Sequence, residues 1–240
     1  MSAKQRVSEQ PAWVLHTLPW RETSLVVEIF AREHGRVALV AKGARRPLSS
    51  LRGVLMAFQP LIVDWSGGGE VKTLIRAEWR GGQPLLAGRA LLCGYYVNEL
   101  LLKLTAREDA HPGLFDAYEA AMAALAAGAA LPATLRRFEL SLLRELGWGL
   151  ALDGDAGGQP FQPDASYLYI IEHGARPGAT GQAGEGVAVG GQTLLDLAAL
   201  DFSRAATLTE SRRLLRAALD HHLGGKPLQS RRVFRELHEL

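Results

Sequence analysis

A single cysteine, Cys93, stands among the 240 residues. The chain can therefore form no internal disulfide and no thiolate cluster for zinc. Cys93 lies in the apolar run Leu91-Leu92-Cys93-Gly94-Tyr95, the setting of a buried small hydrophobe rather than of a nucleophile. Long apolar runs are missing too. None reaches the roughly 18 to 20 residues that would span a bilayer, and Met1 to Gln10 is polar, without the apolar stretch of a signal peptide. The expectation is a cytoplasmic protein with no membrane contact.

Catalytic patterns are equally scarce. Leu223-Gly224-Gly225-Lys226-Pro227 follows a helix and is broken by proline, so it is no phosphate-cradling Walker loop. No serine occupies a nucleophile elbow, and no carboxylate pair has metal-ligand spacing. His221 and His222 are adjacent, a spacing expected to point them to different sides of a helix and away from a common metal. No catalytic residue, no metal ligand and no cofactor is expected. An enzyme such as a nuclease is a distant alternative, because sites assembled from remote residues leave no local motif.

Charge is present but unevenly placed. Residues 1 to 82 carry twelve Lys and Arg against seven Asp and Glu, whereas residues 83 to 240 carry fifteen against eighteen. No acidic residue lies between Glu33 and Asp64, a window holding Arg36, Lys42, Arg45, Arg46 and Arg52. A second concentration, Arg212, Arg213, Arg216, Lys226, Arg231, Arg232 and Arg235, is interrupted only by Asp220. Fields of one sign attract polyanions, nucleic acid foremost; an ordinary solvated face is the competing explanation.

Periodicity divides the chain. Ala12 to Leu18, Ser24 to Phe30, Arg36 to Ala41, Leu55 to Trp65 and Val71 to Glu78 read as five successive strands, with Ser66-Gly67-Gly68-Gly69 as a flexible turn. Five short strands with a basic loop after the third fit an OB-type β-barrel over residues 1–82, with an SH3-like barrel as the nearest competitor. Residues 83–240 read as an α-helical domain, making the whole α+β. Leu85 to Leu104, Leu114 to Ala127 and Pro132 to Leu146 predict an antiparallel bundle. Thr193 to Leu200 and Thr209 to Leu223 predict two more helices, each opened by a capping threonine, and Leu228 to Leu240 closes the chain. Residues 153–192 turn to Gly, Pro and Asp around one strand, Tyr167 to Glu172. This irregular insert is expected to be mobile from Gly174 to Gly191.

Three segments carry a family resemblance. Pro19-Trp20-Arg21-Glu22-Thr23-Ser24, with Glu33-His34-Gly35-Arg36-Val37 leading to Ala41-Lys42-Gly43-Ala44-Arg45-Arg46, is similar to the first domain of the RecO family of recombination mediators. Tyr95 to Leu101 and Leu135-Arg136-Arg137-Phe138-Glu139-Leu140 through Gly147-Trp148-Gly149 resemble its helical domain. His222-Leu223-Gly224-Gly225-Lys226-Pro227-Leu228-Gln229-Ser230-Arg231 resembles its C-terminal pattern. The resemblance implies an OB barrel followed by a helical domain, binding to single- and double-stranded DNA, strand annealing, and work with RecR in loading RecA. It also implies contact with the acidic C-terminal tail of single-stranded DNA-binding protein, and a place near the nucleoid. A protein–protein adaptor with little direct DNA binding is the alternative. Many relatives carry a four-cysteine zinc module in the irregular region. Here Asp153 to Tyr169 has no cysteine, so the insert resembles that module in position only and packing around Phe161, Tyr167 and Tyr169 is expected to hold it.

Sites follow from both lines. Arg36, Lys42, Arg45, Arg46 and Arg52 are the expected DNA contacts, neutralising phosphates without reading bases. Lys226, Arg231 and Arg232 take a lesser share or merely solvate their surface. Trp20 is either core or a stacking platform. Arg136, Arg137 and Phe138, with Lys103, are the expected seat of the acidic tail, in a groove beside the Tyr95 to Leu104 helix; pairing of both arginines with Glu139 or Glu99 is the alternative.

Overall fold

The computed structural model describes residues 6–178 and 186–238. Its first five strands are β1 (Arg6–Trp20), β2 (Ser24–Ala31), β3 (Gly35–Ala41), β4 (Pro60–Ser66) and β5 (Val71–Trp79). They close into a barrel in the order β1-β2-β3-β5-β4, with β4 paired back to β1 and only β3 and β5 parallel. This is the expected OB-type barrel. Its first strand is long enough to serve two partners: Arg6 to Trp13 register with β4 and Ala12 to Trp20 with β2. Register shifts between Val7 and Gln10 and between Val14 and His16 bend it around the barrel.

Alternation fills the interior. Val27 and Ile29, Val37 and Leu39, and Leu61, Val63 and Trp65 point inward and are buried, each aliphatic side chain contributing about 1.5–3 kcal/mol. The expected strand from Leu55 to Trp65 is shorter in fact. A single helical turn, α1 (Leu51–Val54), precedes it, and Phe58 adopts a positive φ of 64°. The strand begins at Pro60, where the missing N–H costs no ladder bond.

One side of the barrel's outer face is also covered. Trp13 and Phe30 alternate outward yet are buried against α3 (Pro112–Ala126), with ring centroids 5.4 Å from Tyr118 and 5.6 Å from Phe115. Asn98, on α2 (Gly88–Leu104), donates to the Leu15 carbonyl at 3.0 Å and accepts from the Tyr118 hydroxyl at 2.7 Å. Burial pushes the Tyr118 hydroxyl's pKa far up, so it remains a proton donor.

Compact units follow these contacts. The first comprises residues 1–129 with 228–240, the second residues 130–227. The boundary expected at residue 82 thus falls inside the first unit, because α2 and α3 pack on barrel strands. For the same reason the expected bundle is divided: α2 and α3 belong to the first unit, α4 (Leu131–Glu145) to the second. The last helix, α7 (Gln229–His238), returns to the first unit. There the Glu99 carboxylate of α2 accepts from the Gln229 and Ser230 backbone N–H groups at 2.8 and 2.9 Å and from the Ser230 hydroxyl at 2.7 Å. Burial pushes the Glu99 carboxyl up, but these bonds and Lys103 outweigh it and hold it below the ordinary carboxylate range.

The irregular insert contains a sheet rather than one strand. β6 (Ser166–Ile170) lies between β7 (Gly174–Pro177) and β8 (Val187–Gly190), so strands occupy both ends of the stretch expected to be mobile. The remainder of that expectation, residues 179–185, lies outside the described residues. Phe161, Tyr167 and Tyr169 are buried in a common core with Val189, Leu194 and Leu214. The Tyr167 hydroxyl accepts from the Gln162 N–H at 2.9 Å and the Tyr169 hydroxyl from that of Ala151 at 2.7 Å.

Two helices begin earlier than expected. α5 (Gly191–Ala198) and α6 (Ala205–His222) follow Gly190 and Arg204, without side-chain caps. Thr193 is buried inside α5, and the Thr209 hydroxyl donates back to the Ala205 carbonyl at 3.1 Å. Asp196 supplies the polar tie instead, accepting from the Thr207 hydroxyl, from Gln192 Nε2 at 2.7 Å and from Arg204 Nη1 at 3.2 Å. Burial raises the Asp196 carboxyl, and those three bonds together reverse the effect and hold it below its ordinary value.

Candidate nucleic-acid interface

The loop joining β3 to α1, residues 42–50, is fixed by its backbone. Gly43 takes a φ of 70°, open to glycine at little cost, and its N–H reaches the Ser24 hydroxyl at 3.4 Å. Ala44 is buried with the barrel core, and the Arg45 N–H donates to the Thr23 carbonyl at 2.8 Å. With the main chain tied inward, Lys42, Arg45, Arg46 and Arg52 are left exposed. Arg45 and Arg52 share a hollow of about 250 Å³ walled by Leu25, Leu51 and Leu55.

Arg21, on the turn between β1 and β2, joins this group: its carbonyl accepts from Arg45 Nη1 at 3.3 Å. In the sequence Arg21 belongs to a family motif but stands outside the basic window, so it was not an expected contact. The available signal was pairing order, since β2 meets β1 at Trp20↔Ser24 and β3 at Leu25↔Ala41, which brings the turn and the loop to one end of the barrel. Trp20 is 46% exposed, with the Arg21 guanidinium 6.0 Å from its ring centre. Exposure removes the core alternative for Trp20. Leu18 and Leu48 are exposed as well.

Arg36 is not part of this surface. It faces the covered side of the barrel with 12% of its side chain exposed, 3.6 Å from Glu28 and bonded to the Leu102 carbonyl. Burial lowers the pKa of its guanidinium, which Glu28 opposes and Arg107 reinforces. Arg107 also holds Glu28, through two bonds of 3.0 and 2.8 Å. A guanidinium largely withdrawn from solvent, paired with Glu28 and bonded to a backbone carbonyl, is a poor phosphate ligand, so the expected five-residue face is four residues plus Arg21.

The remaining expected residues are divided between the two units. Lys226 is exposed in the second unit, whereas Arg231 and Arg232 lie on α7 in the first. The Arg231 guanidinium stands 5.8 Å from the Tyr96 ring centre, and Arg232 is 3.4 Å from Glu236. On α4, Arg136 is buried and salt-bridged to Glu139 at 2.5 Å, and Phe138 is buried too. Only Arg137 of that trio is exposed, its guanidinium 5.3 Å from the Phe202 ring centre. Lys103 belongs to the first unit, 3.3 Å from Glu99.

Among the described residues one group of potential metal ligands converges: Glu172, His221 and His222, with one ligand atom from each all within 4.8 Å of one another. The adjacent histidines therefore do not diverge as expected. They end α6, where the next residue already leaves the helix, and their rings lie 5.0 Å apart. Burial and the neighbouring His221 both lower the His222 pKa, and Glu172 opposes them.

Comparison with known proteins adds the lineage. Residues 5–82 match the family model of the recombination protein O N-terminal domain and residues 86–232 that of the C-terminal domain. The chain is 67% identical to the DNA repair protein RecO of Aromatoleum aromaticum and 64% identical to that of an Azoarcus species, over the full length of all three. Identity to the RecO of Ralstonia nicotianae is 52%, covering 99% of this chain and 88% of that one. Both halves of the chain, in order, thus place it in the recombination protein O (RecO) family.

Proposed function

We propose that this protein is a non-catalytic recombination mediator in DNA repair, which binds single- and double-stranded DNA, anneals complementary strands and, with RecR, helps load RecA onto DNA coated by single-stranded DNA-binding protein. The observation that carries this is the pinned basic loop: Lys42, Arg45, Arg46 and Arg52, with Arg21, exposed at one end of an OB barrel beside the exposed Trp20 ring. A guanidinium cluster on a fixed backbone neutralises phosphates of any sequence, and a nearby indole can stack on any base. Annealing then needs no reacting group. Screening two anionic strands lowers their repulsion, and base pairing drives the rest.

Charge reversal at Arg45 and Arg46 together tests this. Filter binding against salt should show weaker binding to both strand forms and a slope flatter by about one unit for each phosphate no longer neutralised. Unchanged affinity and slope would overturn the assignment of the loop. Incubating labelled DNA with Mg²⁺ or Mn²⁺ tests the non-catalytic part, since sustained cleavage would refute it.

For the acidic tail of single-stranded DNA-binding protein, the exposed Arg137 is the residue of the α4 trio able to offer its guanidinium. Arg136 and Phe138 would act by holding the helix. Anisotropy with a labelled acidic peptide should show Arg137→Ala weaker than the parent; equal affinity would remove the tail from this helix.

A further inference from the structure

The structure assigns Glu172, His221 and His222 to a binding site for a borderline-soft divalent cation such as Zn²⁺, Ni²⁺ or Co²⁺. Two imidazoles and one carboxylate form a donor set of the kind these ions take when three protein ligands leave a fourth position to water. Mg²⁺, which prefers an all-oxygen octahedron, is a poor match.

The arrangement supports the assignment on four counts. His221 Nε2 and Glu172 Oε1 are 3.4 Å apart, the separation that two ligands bound about 2.1 Å from one tetrahedral ion would have. The third donor lies within 4.8 Å of both, close enough for rotamer shifts of the exposed Glu172 and His221 side chains to close the set around an ion while His222 stays in place. Glu172 comes from the turn between β6 and β7, and the histidines from the last turn of α6, whose carbonyl end carries partial negative charge that favours a cation. Exposure of Glu172 and His221 gives the ion a route in from solvent.

An ion held there would clamp the sheet turn to the end of α6, two elements far apart in sequence. The His222 ring is also stacked on Trp148, with centroids 4.2 Å apart and planes 9° from parallel. A paramagnetic ion on His222 therefore sits beside an indole and should quench its emission. The site shares no residue with the DNA-binding loop.

The test uses the full chain freed of any affinity tag. Calorimetric titration with Zn²⁺ should show saturable binding at one ion per chain, with Mg²⁺ failing to compete, and Ni²⁺ should quench Trp148 fluorescence, a signal absent from Trp148→Phe. Losing even an outer partner of a metal ligand costs about 10–100-fold in affinity, so Glu172→Gln, His221→Ala and His222→Gln should each weaken binding at least that much. His173→Ala should bind as the parent does. Circular dichroism identifies any variant that fails to fold, and Glu172→Gln, exposed and nearly isosteric, keeps the test intact. The inference is overturned if the parent shows no saturable binding up to about 1 mM Zn²⁺, or if the three ligand variants bind as tightly as the parent. DNA binding by Glu172→Gln should be unchanged in either case.

Discussion

In the barrel, side chains alternating inward from β2, β3 and β4 make a core by apolar contact, whereas in the second unit hydroxyl and carboxylate bonds supplement the apolar core beneath the sheet. The Tyr167 and Tyr169 hydroxyls and the Asp196 carboxylate each bond a group outside their own strand or helix. Apolar alternation tolerates exchange among similar volumes, but a polar tie leaves its partner unsatisfied in the interior when removed. One sequence thus contains two styles of specification, and each should fail in its own way.

The sharpest break of that contrast should come from the seam between barrel and α3. Trp13→Ala removes an aromatic side chain packed edge-on against Tyr118 and should cost about 3–5 kcal/mol in urea unfolding. Next, Asp196→Ala should cost about 1–3 kcal/mol, read in the second unit by hydrogen exchange of α5 and α6 amides. Asp196 has a second, pH-dependent mark. Its carboxyl is held below its ordinary value when folded, so its contribution is complete above the unfolded carboxylate range near 4 and is lost as pH falls through the folded value. Asp196→Asn should flatten that acid limb; an identical limb would show that other carboxylates set it. Tyr169→Phe, which deletes only the hydroxyl that receives the Ala151 N–H, should cost about 1 kcal/mol, and a neutral result would place that fit in apolar packing as well. Smallest of all, Arg46→Ala should change stability by less than about 0.5 kcal/mol while weakening DNA binding, because its side chain is exposed and its loop is held by backbone bonds.

The same contrast explains what the sequence revealed. Barrel strands stood out because period-2 runs such as Val27 to Ile29 and Val37 to Leu39 were bounded by turn residues. The three-stranded sheet did not, because β7 and β8 have four residues each and carry glycine at an end, so they read as loop. Helix starts at Gly191 and Ala205 were missed because threonines farther along offered a capping pattern that the chain does not use. Within the candidate interface, Lys42, Arg45, Arg46 and Arg52 were visible as an acid-free basic window, but Arg36 was indistinguishable from them by composition. Its fate is set by parity: it pairs across from Phe30, on a face that α2 and α3 cover. Apolar Trp13 and Phe30 at outward positions were the available warning that this face is not solvent. The meeting of Glu172 with His221 and His222 depends on tertiary packing across some fifty residues and left no local trace.

The Glu99 clasp on α7 has a temporal consequence. Because residues 130–227 are spliced between two stretches of the first unit, the whole second unit is synthesised before Gln229 and Ser230 exist to meet Glu99. The first unit therefore lacks its last helix throughout the synthesis of the second and is completed after it, against the N-terminal-first order in which domains of a chain ordinarily mature. A chain stopped at residue 227 would leave the Glu99 carboxylate without the Gln229 and Ser230 groups that bond it, an open seam for proteases and chaperones that closes only when α7 is added.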